Sequence, residues 1–137
     1  MAQTETEYLS SCIEDLIFKG QATHDYSVFD DKLKFTLTTL NGNDQLEIEK
    51  RMLDVKGTNA FILHTYQLWV LVYTVSGYNG KKRLDIDSWF EFIKSLPSTI
   101  LDVLIQTQGK FEKELRTALL KKSEIENFSE PASTEQD

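Results

Sequence analysis

Apolar residues recur along this chain with two different periods, and the change of period divides it. Over residues 6–20, Leu9, Ile13, Leu16 and Ile17 return every three or four positions, which predicts a short amphipathic helix with these side chains on one face. Gly20 is its expected stop, because glycine takes the left-handed conformation without a side-chain clash. Cys12, beside Ile13, reads as a small buried hydrophobe, since Glu14 and Asp15 oppose the positive surroundings a reactive thiolate needs. From Lys32 to Thr38 the period falls to two, the mark of a half-buried strand, and His24, Tyr26 and Val28 alternate in the same way. Asp30-Asp31 between them is a turn signal, without the glycine of the strongest hairpins. A two-stranded hairpin over about 22–40 follows, and it needs helices or a partner to pack against.

The helical period then returns. Asn41 is a good N-cap, with Asp44 in the first turn, for a helix over about 42–56. Leu46, Ile48, Met52, Leu53 and Val55 form its apolar side, and Glu47 and Arg51 are spaced as an i,i+4 ion pair. Gly57 ends this helix and Thr58 caps the next. Residues 59–76 are apolar nearly all round, with Tyr66, Trp69 and Tyr73 forming an aromatic ridge. Such a pattern predicts a helix surrounded by other elements. Two buried strands are the rival reading, and the length and lack of an internal turn residue favour the helix. The most apolar stretch, 60–75, is shorter than the roughly 20 residues a spanning helix needs, so it reads as core. Residues 77–80 read as a loop and Lys81-Lys82-Arg83 as a solvated basic cluster. Asp87 or Ser88 caps a helix over about 88–96 whose inner face is Trp89, Phe92, Ile93 and Leu96. After Pro97, residues 98–122 read as one long helix lined by Ile100, Leu101, Leu104, Ile105, Phe111, Leu115 and Leu119. Gly109 within it costs roughly 1 kcal/mol relative to alanine and suggests a bend or a close contact. The expected fold class is therefore α+β and mostly helical. An N-terminal helix and β-hairpin pack on a bundle of about four helices, in a single domain over 8–122 between a flexible acidic start, 1–7, and an acidic disordered tail, 123–137.

The charge sharpens this division. The chain has 22 acidic and 15 basic residues, a net charge of -7. Residues 123–137 carry five acids and no base, and Glu5 and Glu7 add two more, so the body is formally neutral. Nucleic acid is an unlikely partner for such a chain, because binding it requires phosphates neutralised by lysine and arginine. One cysteine makes neither an internal disulfide nor a multi-cysteine zinc site, and the start lacks a basic-then-apolar leader. The expectation is a cytoplasmic protein with no membrane association.

Candidate chemistry is sparse. His24 and His64 are the only imidazoles and lack second ligands at helical spacing, so both read as core or boundary histidines. No nucleophile motif or phosphate-binding glycine loop is present. Asp85 and Asp87 could flank a cation, but helix capping explains Asp87 equally well. No catalytic, cofactor-binding or metal residue is assigned. Binding another protein is the expectation that remains: aromatics make up 11% of the chain, and several fall off the obvious inner faces. Tyr26, Phe29 and Phe35 on the hairpin, Phe90 opposite Phe92, and Phe128 in the tail are the candidate partner-binding residues, with an open strand edge beside the first three. The oligomeric state is left open.

The stretch "FDDKLKFTLTTLNGNDQLEIEKRM", Phe29 to Met52, resembles the strand, threonine-leucine-threonine, helix module of small tailed-phage tail or baseplate-hub assembly chaperones. "NAFILHTYQLWVLVYTVSGYNGKKR" and "SWFEFIKSLPSTILDVLIQTQGKFEKEL" are compatible with the helix, asparagine-glycine loop, helix, leucine-proline, helix order that follows there, so the resemblance spans about 8–120. It implies a non-enzymatic factor in the host cytoplasm that transiently shields a tail or hub component, such as the tape-measure protein. A virion-resident tail or baseplate subunit would look much the same, and a small inhibitor of a host enzyme is a third reading.

Overall fold

The computed structural model describes residues 5–128, with side chains from 7 to 121. The elements run α1 (Glu5–Lys19), β1 (Thr23–Val28), β2 (Leu33–Thr38), α2 (Gly42–Met52), α3 (Asn59–Thr74), β3 (Val75–Tyr78), β4 (Lys81–Lys82), α4 (Ile86–Lys94) and α5 (Ser98–Phe128). The mostly helical α+β class is as the sequence predicts. The sheet is larger than predicted: four antiparallel strands in the order β1-β2-β3-β4, with a register shift between Thr36 and Leu37.

The extra strands arise where the sequence predicts the end of a helix and a loop. α3 stops at Thr74, and the chain turns directly into β3, with Val75 already extended. Carbonyls freed by this break must find donors. The Arg83 guanidinium donates to the Val72 carbonyl at 2.8 Å, and the Trp89 indole N–H to the Val75 carbonyl at 2.7 Å. Arg83 therefore turns back onto the fold, and Lys81 lies over the Phe92 ring at 5.3 Å, so the basic cluster is strand and cap where a loop is predicted, with Lys81 and Lys82 exposed as expected.

One face of the sheet is apolar. Leu33, Phe35 and Leu37 on β2 stand opposite Val28, Tyr26 and His24 on β1, and the helices pack against them. The other face carries Thr23, Asp25 and Ser27 opposite Thr38, Thr36 and Lys34. The core continues through Leu68, Leu71, Val72, Trp89, Ile93, Leu101, Leu104, Phe111 and Leu115. Among the described residues no buried side-chain polar atom lacks a hydrogen bond.

Several local predictions hold and others move. Gly20 closes α1 at φ 77°, Asn41 and Asp44 form a reciprocal capping box, and the Thr58 hydroxyl accepts the Phe61 N–H. The cap of α4 is Asp85, which accepts the Ser88 N–H at 2.8 Å, so that helix starts two residues earlier than predicted. Arg51 pairs with Asp87 at 2.9 Å across α2 and α4, and Glu47 pairs with Lys50. A Cβ on Gly109 would meet nothing within 4 Å, which rules out the close contact suggested for it. α5 continues to Phe128, past the predicted start of the tail; residues 129–137 and 1–4 lie outside the described residues. No helix among the described residues is long and apolar enough to cross a membrane.

Candidate functional site

The sequence of α3 asks for burial all round, and the fold provides it for one half only. Leu68, Leu71, Val72, Tyr73 and Thr74 are buried. In the first turns Phe61 and Leu63 are 54% and 57% exposed, Ile62 is half-buried, and His64 is exposed where a core or boundary position was expected. Of the five apolar residues predicted to form one side of α2, only Ile48 is buried; Leu46 and Leu53 are 60% and 77% exposed. Too many apolar positions are spread round α2 for a single inner face to hold them. The surplus meets the uncovered half of α3.

Three adjoining depressions result. The first, about 560 Å³, lies between Met52 and Leu53 on one side and Asn59, Ile62, Leu63 and Tyr66 on the other, with Glu49 at its rim. The second, about 470 Å³, shares Leu53 and Glu49 and adds Leu46, so Leu53 is a ridge between two hollows. The third, about 530 Å³, shares Tyr66 and runs toward α5 over Leu40, Val70, Leu71 and Ile105, with Gln67, Gln108, Glu112 and Arg116 around it. The Gln45 amide donates to Glu49 at 3.1 Å and to the Tyr66 hydroxyl at 3.2 Å, tying the α2 wall to α3. The Glu112 carboxylate accepts the Leu40 N–H at 3.4 Å; burial pushes its pKa up, against the pull of that N–H and of Arg116. An apolar floor with amide, phenol and carboxylate groups at its rim is suited to binding. Among the described residues no three His, Cys, Asp or Glu side chains converge as metal ligands would.

The aromatic residues singled out from the sequence are mostly elsewhere. Phe35 is buried in the core at 2% exposure, where its ring reaches no partner. Tyr26 is half-buried, stacked on Phe35 at 5.4 Å and edge-on to Phe111 at 6.2 Å, and burial raises its phenol to about 12. Phe90 is half-buried, stacked at 4.0 Å on Trp69, whose ring also carries the Arg51 guanidinium at 4.6 Å. That stack joins α2, α3 and α4. Phe29 alone is well exposed, at the tip of the β1–β2 turn, where it, Asp30 and Asp31 all have positive φ. Phe128 ends α5, and its side chain lies outside the described residues. Among the described side chains, Tyr26, Phe29, Phe35 and Phe90 are therefore not gathered into one surface.

Among the described residues the outer edge of β1 has no strand beside it. Around its start, α1 is held by an aromatic and hydrogen-bonded cluster. Tyr8 stacks on His24 at 4.1 Å and donates to the Glu114 carboxylate at 2.7 Å, and the Cys12 thiol lies 4.0 Å from the Thr23 carbonyl. Burial pushes the Tyr8 and Cys12 groups up and the His24 imidazole down, so all three stay neutral near pH 7. These are the groups of a packed interface.

Comparison with family models, with curated proteins and with solved structures found no match. Leu46, Leu53, Ile62, Leu63 and Tyr66, which line these depressions, are not among the candidate residues the sequence offers; their signal is the excess of apolar positions in 42–76.

Proposed function

We propose that this chain is a non-enzymatic protein-binding factor that holds its partner in the groove between α2 and α3. The observation that carries the reading is the uncovered apolar surface around Leu46, Leu53, Ile62 and Leu63, where exposed apolar side chains line adjoining depressions. Contiguous exposed apolar surface of this kind marks interaction sites. The resemblance to tailed-phage tail and baseplate-hub assembly chaperones supplies the setting: transient shielding of a tail, hub or tape-measure component in the host cytoplasm until assembly.

The test is affinity capture of the tagged full chain from phage-producing cells, with mass spectrometry of the purified particles. The reading expects a tail or hub component in the captured complex and no copy of this chain in the particle. Capture of no particle component would refute the assembly role. Presence in the mature particle would make the chain a structural subunit.

A further inference from the structure

Three other features fail to carry a new site. The polar face of the sheet, with Asp25, Lys34, Thr36 and Lys82, forms an open hollow of solvated side chains. The Arg51, Trp69, Phe90, Lys94 stack is self-satisfied: Arg51 lies on Trp69, Phe90 stacks on the same indole, and Lys94 lies over Phe90. The Tyr8, His24, Glu114 cluster borders none of the hollows described above.

The groove itself says more about its occupant. Its floor follows α3 from Asn59 to Leu71. At 1.5 Å per residue this is about 18 Å, the length of about twelve residues of a second helix. The two depressions along α3, joined at Tyr66, suit apolar anchors recurring on one face at helical spacing, the mode by which an amphipathic helix lies in a groove, while the hollow beside Leu46 lies across the Leu53 ridge on α2. The rim adds polarity to this shape. Glu47 is neutralised by Lys50 at 3.6 Å. Glu49 and Glu112 face the groove, and among the described residues neither has a lysine or arginine within ion-pair distance. Arg116 is the one cation lining the third hollow, and its field lowers the pKa of Glu112 without forming a close pair. Burial of Glu112 meanwhile disfavours its charged form, so the free protein keeps this carboxylate in the groove at some cost to itself.

Resting on the protein-binding reading, we infer that the occupant is an amphipathic helix of the partner, its apolar stripe laid along α3 and its lysine or arginine side chains meeting Glu49 and Glu112. The Leu53 ridge sets the register between two anchors. Partner cations give the two carboxylates the close counter-charge that the domain itself does not supply, which selects basic amphipathic helices over acidic ones of equal hydrophobicity.

The experiment is selection of displayed helical peptides of random sequence on the full chain, with Glu49→Gln, Glu112→Gln and Leu53→Glu variants run in parallel. Thermal melts first establish that each variant is folded. Enriched peptides are expected to carry an apolar i, i+3/i+4, i+7 stripe flanked by lysine or arginine. Binding measured on one enriched peptide should weaken about three- to tenfold in the Glu49→Gln, Glu112→Gln double variant, as loss of two rim ion pairs implies. It should be lost in Leu53→Glu. Enrichment with neutral or acidic flanks would overturn the charge assignment. Failure of any helical peptide to enrich would overturn the helix, whereas the protein-binding reading stands or falls on affinity capture. A dimer of the chain in light scattering that Leu53→Glu dissolves would make the occupant a second copy and overturn the inference.

Discussion

The two ends of this molecule treat their apolar residues in opposite ways. At the sheet end, the two rings on the inner face of β1 each meet a helix: His24 meets Tyr8, and Tyr26 meets Phe111. The outer face there is threonine, serine, aspartate and lysine. At the α2–α3 corner, Leu46, Leu53, Phe61 and Leu63 are each more than half exposed. The difference teaches that an apolar surplus marks a binding surface only where the chain's own elements leave it uncovered. By that measure Tyr26 and Phe35 of the hairpin are structural, and the corner is the place to look for a partner.

The largest effect expected from breaking this contrast lies in the shared core. Phe111 is 1% exposed and touches both His24 and Tyr26, so Phe111→Ala should cost about 3–5 kcal/mol. Urea unfolding would show it as a lower midpoint, and a loss under about 1 kcal/mol would mean the sheet end is loosely packed. Next comes the lock on α1. Tyr8→Phe removes the hydroxyl that donates to Glu114 and should cost ~1 kcal/mol while leaving the His24 stack in place.

Acidification should separate the two ends by sign. The folded pKa of His24 lies below its ordinary 6.5 because burial disfavours the charged ring, so the unfolded chain takes the proton first. Its stabilising contribution is present above pH 6.5 and is lost as the pH falls toward the folded value. Asp25 and Glu114 oppose the shift without reversing it. Glu112 behaves in the opposite sense. Its folded pKa lies above the ordinary 4.5, so the folded chain takes the proton first and gains stability as the pH falls through the folded value. Unfolding midpoints measured between pH 7 and pH 4 should lose their upper decline in His24→Phe. Glu112→Gln should be more stable than the natural chain at pH 7, with the advantage shrinking toward pH 4. A His24→Phe profile that overlays the natural one would contradict the first assignment. A destabilised Glu112→Gln at pH 7 would contradict the second.

The smallest effect is expected at the groove. Leu53→Ser replaces a side chain that is 77% exposed and should change stability by no more than about 0.5 kcal/mol. A larger loss would show that the corner is part of the core.

Much of the fold was legible because local chemistry decided it. The capping box at Asn41, the stop at Gly20 and the alternation of β2 each act within a few residues. The β3–β4 hairpin was not legible, because α3 ends at Thr74 through donors from Arg83 and Trp89, 11 and 14 residues away from the carbonyls they cap. Which apolar side chains lie uncovered was not legible for a related reason. Period and hydrophobicity show that Phe35 and Leu53 are both apolar, but whether a neighbour covers each one is a long-range property. Phe35 lies under the sheet's helices, and Leu53 stands in solvent.

The most direct test joins folding and capture in one variant. Leu53→Glu with Leu63→Glu places two charges in the groove at positions that are more than half exposed. The account predicts a thermal midpoint close to that of the natural chain together with loss of the captured partner. A folded variant that still retains the partner would contradict the groove as the binding site.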